Sequence, residues 1–192
     1  MDGDPSVAAR DDLAGVVDLF EWLTREELSR ALSELAFKQR AEVDDEAIAA
    51  AIDVAVAEYA LVAAPPGALA EAGAGAGPEA VADPGDVGDA DGEGEIPDGD
   101  AIALAVGPAA FPSLPADAED LPHILDVPDR EVDRETLSGA VLERLSADAV
   151  AAIGAGDAER LELLADVTYD IEAWAPVDAG DIRERIVDEL DA

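Results

Sequence analysis

Cysteine is absent from all 192 residues, which excludes disulfides, thiolate nucleophiles and cysteine-based zinc sites. Positive charge is almost as scarce. Ten arginines and one lysine, Lys38, stand against 47 acidic residues, for a formal net charge of -36. No basic residue occurs between Arg40 and Arg130, so the middle of the chain lacks the Lys and Arg donors that phosphate and base-edge contacts draw on. Aromatics amount to 4%, which leaves Ala, Val, Leu and Ile to build nearly all of any core. No uninterrupted apolar run approaches the roughly 18 residues of a membrane span. The best stretch, Ala47 to Ala64, is broken by Asp53 and Glu58. The opening MDGDPS is acidic and has no apolar centre, so no secretory signal is expected. These absences together predict a cytoplasmic protein with no membrane partner.

What is present argues for a fold. Extreme acidity fits either disorder or adaptation to very high salt. Disorder would require few apolar residues, yet the chain is 49% hydrophobic with clear helical periodicity. At about 1 M salt the screening length is only about 3 Å, so repulsion among carboxylates is quenched and the apolar stripes can close. The length suits one medium domain or two small ones.

Leu13, Val16, Val17 and Phe20 recur at helical spacing and predict a first helix over 11–22, after a flexible tail at 1–10. Thr24 reads as an N-cap with Glu27 completing a capping box. Leu28, Ala31, Leu32, Leu35 and Ala36 give the second helix its stripe, ending near Arg40. Asp44 caps a third helix, with Ile48, Ala51, Ile52, Ala55, Val56 and Tyr59 inward. Tyr59–Ala64 and Ala101–Val106 read as two strands of a hairpin. Its connection, 67–100, is swollen by Gly, Ala, Pro, Asp and Glu, a composition expected to be disordered. Loop closure grows only slowly with length, so the hairpin tolerates it. Prolines 108, 112 and 115 forbid a helix after Gly107. Phe111, Leu114, Leu121, Ile124 and Leu125 predict a wrapping loop over the core, followed by a connector at 127–132. Asp133, Asp157 and Asp178 each begin a C-terminal helix. Their stripes are Leu137, Val141, Leu145, Val150 and Ile153; then Leu161, Leu164, Thr168 and Ile171; then Ile182, Ile186 and Leu190. Gly154, Gly156 and Pro176 supply the breaks.

The fold class is therefore mainly α with a small β-hairpin. A winged-helix-like three-helix unit at 11–126 is interrupted by the insertion at 67–100, and a C-terminal helical segment spans 133–190. On a winged helix-turn-helix template, 44–58 would be the recognition helix and 65–100 the wing. That helix carries Asp44, Asp45, Glu46, Asp53 and Glu58 without a Lys or Arg, so nucleic acid is the disfavoured partner and another protein the favoured one. Arg25, Arg30, Lys38 and Arg40 are the basic residues whose clustering beside the third helix would argue for DNA.

Catalytic signals are thin. His123, in EDLPHILD, could pair with Asp120 or Asp126 in general acid–base work, but no nucleophile motif accompanies it. A structural ring bonded to backbone is the simpler expectation. The acidic run Asp86, Asp89, Asp91, Glu93, Glu95, Asp98, Asp100 matches only the middle of a calcium loop: Val87 stands at the first ligand position and Gly94 at the apolar one. The glycines near 73–77 and 154–156 lack phosphate-loop spacing. Catalytic residues, cofactor and metal ligands are accordingly all expected to be none. Trp22, Phe37, Tyr59, Tyr169 and Trp174 are expected to be mostly core anchors, with Trp174 the one left partly exposed.

The stretches LAGVVDLF (13–20), TREELSRALSELAF (24–37), GPAAFPSLP (107–115), DLPHILD (120–126) and YDIEAWAPV (169–177) resemble an uncharacterised family of small acidic haloarchaeal proteins, a domain of unknown function. The resemblance implies a haloarchaeal cytoplasm and no established activity, and it carries over no catalytic residue. A non-enzymatic protein-interaction or scaffold module is the leading expectation, a DNA-binding winged-helix regulator the runner-up, and an enzyme built on His123 the third.

Overall fold

A computed structural model describes residues 7–41, 43–71 and 101–191. The fold is mainly helical, with two small antiparallel sheets. Two units divide at Asp133/Arg134.

In the first unit, α1 (Val7–Asp18) begins inside the expected tail and stops four residues early. The reason is Glu21, whose left-handed backbone (φ 67) reverses the chain. Trp22–Thr24 then forms β1 instead of completing a helix. Helix α2 (Arg25–Lys38) opens with the predicted capping box: Thr24 Oγ1 accepts from Glu27 N, and Glu27 Oε2 accepts from Thr24 N at 2.8 Å. Helix α3 (Asp45–Ala57) is capped by Asp44, whose side chain accepts from Ala47 N at 2.7 Å. Their stripes bury Leu28, Ala31, Leu35, Ile48, Ile52 and Ala55 beside Leu13, Val16 and Val17 of α1. Fully burying one such aliphatic side chain stabilises the fold by about 1.5–3 kcal/mol, so these stripes carry the unit.

The hairpin forms as expected. β2 (Leu61–Ala63) pairs antiparallel with β4 (Ala103–Val106), and β1 adds to the other edge of β4, giving the order β1-β4-β2. Tyr59 sits not on a helical face but at the helix-to-strand turn, left-handed (φ 62) and fully buried. Gly107 lies against that turn. A Cβ there would stand 2.2 Å from the Tyr59 carbonyl oxygen, so no larger residue fits without moving backbone.

The expected insertion starts later than its composition suggests. Pro66–Ala68 makes a 3-10 turn, and Leu69–Glu71 forms β3. The partner of β3 is β5 (Arg130–Val132), drawn from the presumed connector. Residues 72–100 lie outside the described residues. The wrapping loop is half confirmed. Leu121 and Leu125, on the short helix α4 (Leu121–Leu125), are buried, whereas Phe111 and Leu114 are exposed. The loop is held from beneath by α1: Phe111 N donates to Asp11 Oδ1, and Ser113 N to the Asp11 carbonyl.

The second unit comprises α5 (Arg134–Ala155), α6 (Ala158–Trp174) and α7 (Gly180–Leu190). Gly156, left-handed at φ 65, ends α5, and Asp157 caps α6 by accepting from Arg160 N. The core uses Leu137, Val141, Leu145, Leu161, Leu164, Ile171, Ile182 and Ile186 as predicted. Val150 and Leu190 are corrections: both are exposed, and Ala149 and Ala152 take the inward places on α5.

Candidate functional site

The exposed surface of α2 and α3 carries the charged residues on which the protein and DNA expectations differ. Along α3, Asp45, Glu46 and Asp53 face solvent without an exposed basic side chain among them. Arg25, packed alongside, donates Nη2 to Asp53 Oδ1 at 2.6 Å and to the Ala49 carbonyl at 3.2 Å. Lys38 is likewise engaged, its Nζ 3.0 Å from Asp120 Oδ2. Arg30 and Arg40 are exposed, Arg40 in the left-handed conformation at the α2 terminus. Of the four cations that would favour DNA, two are therefore held by carboxylates.

At the turn joining the two helices, Ser33, Ala36, Phe37, Ala41, Val43, Asp44 and Asp45 line an open groove. Phe37 is 81% exposed and Val43 48%. The expectation that Phe37 is a core anchor is thus overturned, and so is that for Tyr169 at 59%. The helix period explains the first. Leu28, Ala31 and Leu35 occupy the buried stripe, and position 37, two residues past Leu35, lies about 200° away from it. Trp22 and Tyr59 do anchor the core, and Trp174 is half-buried, with the Arg134 guanidinium 5.2 Å from its ring.

Behind α2 lies a polar knot that the sequence did not signal. Arg130, its side chain only 5% exposed, reaches from β5 across Trp22, its guanidinium 3.8 Å from the indole centroid. It donates to both Glu27 oxygens, at 2.7 and 2.8 Å, and to the Trp22 carbonyl at 3.1 Å. Glu71 of β3 stands 3.7 Å from it. Its Nε alone has no hydrogen-bond partner among the described residues. Burial acts to raise the Glu27 pKa, but the Arg130 bonds and the Thr24 amide outweigh it and hold the carboxyl below its usual range. One carboxylate therefore serves both the α2 capping box and the anchoring of β5. Arg10 and Glu58 form a further ion pair, between α1 and the end of α3.

His123 is exposed on α4, so the backbone-bonded, buried ring expected of a structural histidine is not what the fold contains. Asp120 is paired with Lys38, and Asp126 is the left-handed residue ending α4. Among the described residues no cluster of three or more His, Asp or Glu side chains is placed to hold a metal ion. The acidic run 86–100 and the glycines at 73–77 lie outside the described residues. No described helix is long and apolar enough to cross a membrane.

A family model, described as a family of unknown function (DUF7109), matches residues 11–191. The chain belongs to this family. The match runs through both units, from α1 into α7. No curated protein and no solved structure matches the chain.

Proposed function

We propose that this DUF7109 protein is a non-enzymatic interaction or scaffold module whose partner is another protein. The carrying observation is the α3 face, where Asp45, Glu46 and Asp53 are exposed and the adjacent Arg25 is already bound to Asp53. Such a face repels a phosphate backbone and lacks the cationic donors that read base edges. The same reading places the protein in a high-salt cytoplasm, where counterions screen its charge.

A winged helix-turn-helix regulator binding DNA is the second reading. Its support is topological: α1, β1, α2, α3, β2 and β4 follow in that order, with β4 central between β1 and β2. On that template α3 is the recognition helix. Fold does not decide function, however, and the side chains that α3 presents suit a protein partner better than a duplex.

The test is a titration of fluorescein-labelled duplex DNA with the full chain, from dilute buffer to molar KCl, read by anisotropy. No saturable rise is expected at any salt concentration. Saturable binding that weakens linearly on a log–log salt plot would establish the regulator instead.

A further inference from the structure

We propose that the groove at the α2–α3 turn docks an amphipathic segment of a partner protein, an apolar side chain lying on Phe37 and Val43 with Arg or Lys beside it on Asp44 and Asp45. The inference rests on the protein-interaction reading and names the chemistry of the partner.

Phe37 is not exposed by fraying. The end of α2 is closed by backbone bonds: Gln39 N donates to the Leu35 carbonyl, Arg40 N to the Phe37 carbonyl and Ala41 N to the Ala36 carbonyl. The Asp44 cap fixes the start of α3. On the far side Gln39 Nε2 donates to the Ala116 carbonyl at 2.9 Å, and Lys38 holds Asp120. The backbone that carries the ring is thus hydrogen-bonded, which lowers the ordering cost of binding. Ser33 and Ala36 flank it with small side chains, so an incoming residue can approach the ring closely. Two of the three phenylalanines are exposed, Phe111 and Phe37, but Phe37 has the half-exposed Val43 beside it in one groove, and adjoining apolar groups mark interaction surfaces more than single solvated ones do.

Charge selects the occupant. Among the described residues, both charged ones lining the groove, Asp44 and Asp45, are acidic. A second copy of the chain would bring the same carboxylates and its own -36 net charge to the contact, whereas an apolar side chain flanked by cations complements the ring and the rim together. Helix-in-groove recognition of this kind reads one or two apolar anchors at helical spacing. Molar salt screens the rim contribution but leaves the apolar contact intact, so the ring carries affinity and the aspartates carry selectivity.

The experiment is selection of a displayed twelve-residue peptide library on the immobilised full chain at molar KCl, with counter-selection on Phe37→Ser. Enriched peptides are then measured by anisotropy on wild type, Phe37→Ser and Asp45→Lys, each checked for folding by circular dichroism. The expected peptides combine an apolar anchor with Arg or Lys. They bind Phe37→Ser about tenfold or more weakly, as loss of a hot-spot residue does. They also bind Asp45→Lys more weakly, by a factor that shrinks as salt rises. No enrichment, enriched peptides without a basic residue, or equal binding to Phe37→Ser would overturn the groove. Peptides that bind elsewhere on the chain sink the groove while leaving the module reading standing; saturable binding of duplex DNA sinks that reading instead. Self-association in sedimentation that Phe37→Ser abolishes would assign the groove to a second copy and overturn the proposal.

Discussion

The two units are stabilised by contacts of very different reach. In the first, the Arg130–Glu27 pair spans 103 residues of sequence, Arg10–Glu58 spans 48 and Lys38–Asp120 spans 82. In the second, Arg183 meets Glu172 across 11 residues at 2.5 Å and Arg160 meets Asp148 across 12 at 2.8 Å. Even the buried polar contact there is short in sequence: Arg183 Nε donates to Thr168 Oγ1, 15 residues away, and Thr168 in turn donates to the Ala165 carbonyl. The longest reach there is an exposed bond from Arg185 Nη2 to Ser146 Oγ, 39 residues apart at 3.3 Å; the ion pairs of these three helices with short turns are local. A unit whose sheet borrows a strand from between two helices, and whose capping carboxylate is shared with a distant arginine, cannot rely on local pairs. Local contacts close early and long-range ones late, because loop closure comes first. The first unit is therefore the one in which single side chains hold distant segments together.

The largest test of that difference is Arg130→Ala. It strips Glu27 of its bidentate partner and uncovers one face of Trp22. Loss of one partner from a buried pair costs about 3–5 kcal/mol, and the lower end is expected because Glu27 is 27% exposed. In a Trp174→Phe background, leaving Trp22 as the only indole, fluorescence-detected unfolding should shift to lower denaturant by that amount. An unchanged midpoint would show that Arg130 holds nothing. Gly107→Ala comes next. Its Cβ would meet the Tyr59 carbonyl at 2.2 Å, and overpacking of this kind costs about 1–3 kcal/mol. Gly139, with open space around its Cβ position inside α5, should instead gain roughly 0.5–1 kcal/mol on change to Ala. Opposite signs in the two units, read by thermal unfolding, are the expected outcome.

The smallest effect is that of pH, and its sign differs between Glu27 and Asp170. Glu27 titrates below its unfolded value in the folded chain. Its contribution is thus fully present above the unfolded pKa and fades as pH falls through the folded one. Burial, then the neighbouring Asp166, raise the Asp170 pKa, so that group weakens the folded state when ionised and stops doing so as pH falls through its raised value. Glu27→Gln should therefore destabilise the chain at pH 7 and lose its effect in acid, whereas Asp170→Asn should stabilise at pH 7 and become neutral in acid. Matched denaturation series from pH 7 to pH 3 check both; parallel trends would refute the assignment.

Legibility in the sequence follows the same division. The Thr24–Glu27 box, the Asp44 and Asp157 caps and the Gly156 stop were readable because each is complete within a few residues. The hairpin was readable across its insertion because both strands carry their own apolar signature. Three features of the first unit escaped. β1 hides in FEWLT, where no Gly or Pro announces the turn that Glu21 makes. β3 and β5 are three residues each, too short to show a period. Arg130 lies within the expected connector at 127–132, where no neighbour in sequence marks a partner for it. At the candidate groove, the Asp44 cap was legible, but the exposure of Phe37 was masked by the reasonable assumption that scarce aromatics are spent on the core.

Composition and local pattern, unaided, determined that this chain is helical, anionic, free of cysteine chemistry, and divided between a hairpin-bearing half and a purely helical one. Those properties depend on neighbours along the backbone, which a single sequence lists in order. Tertiary structure alone decided that β5 returns to β3, that Glu27 answers to Arg130, and that Phe37 faces outward beside Asp44 and Asp45. Each of these sets side chains beside groups that chain order leaves far apart or turns to the other face of a helix, and only the folded arrangement fixes which of them meet.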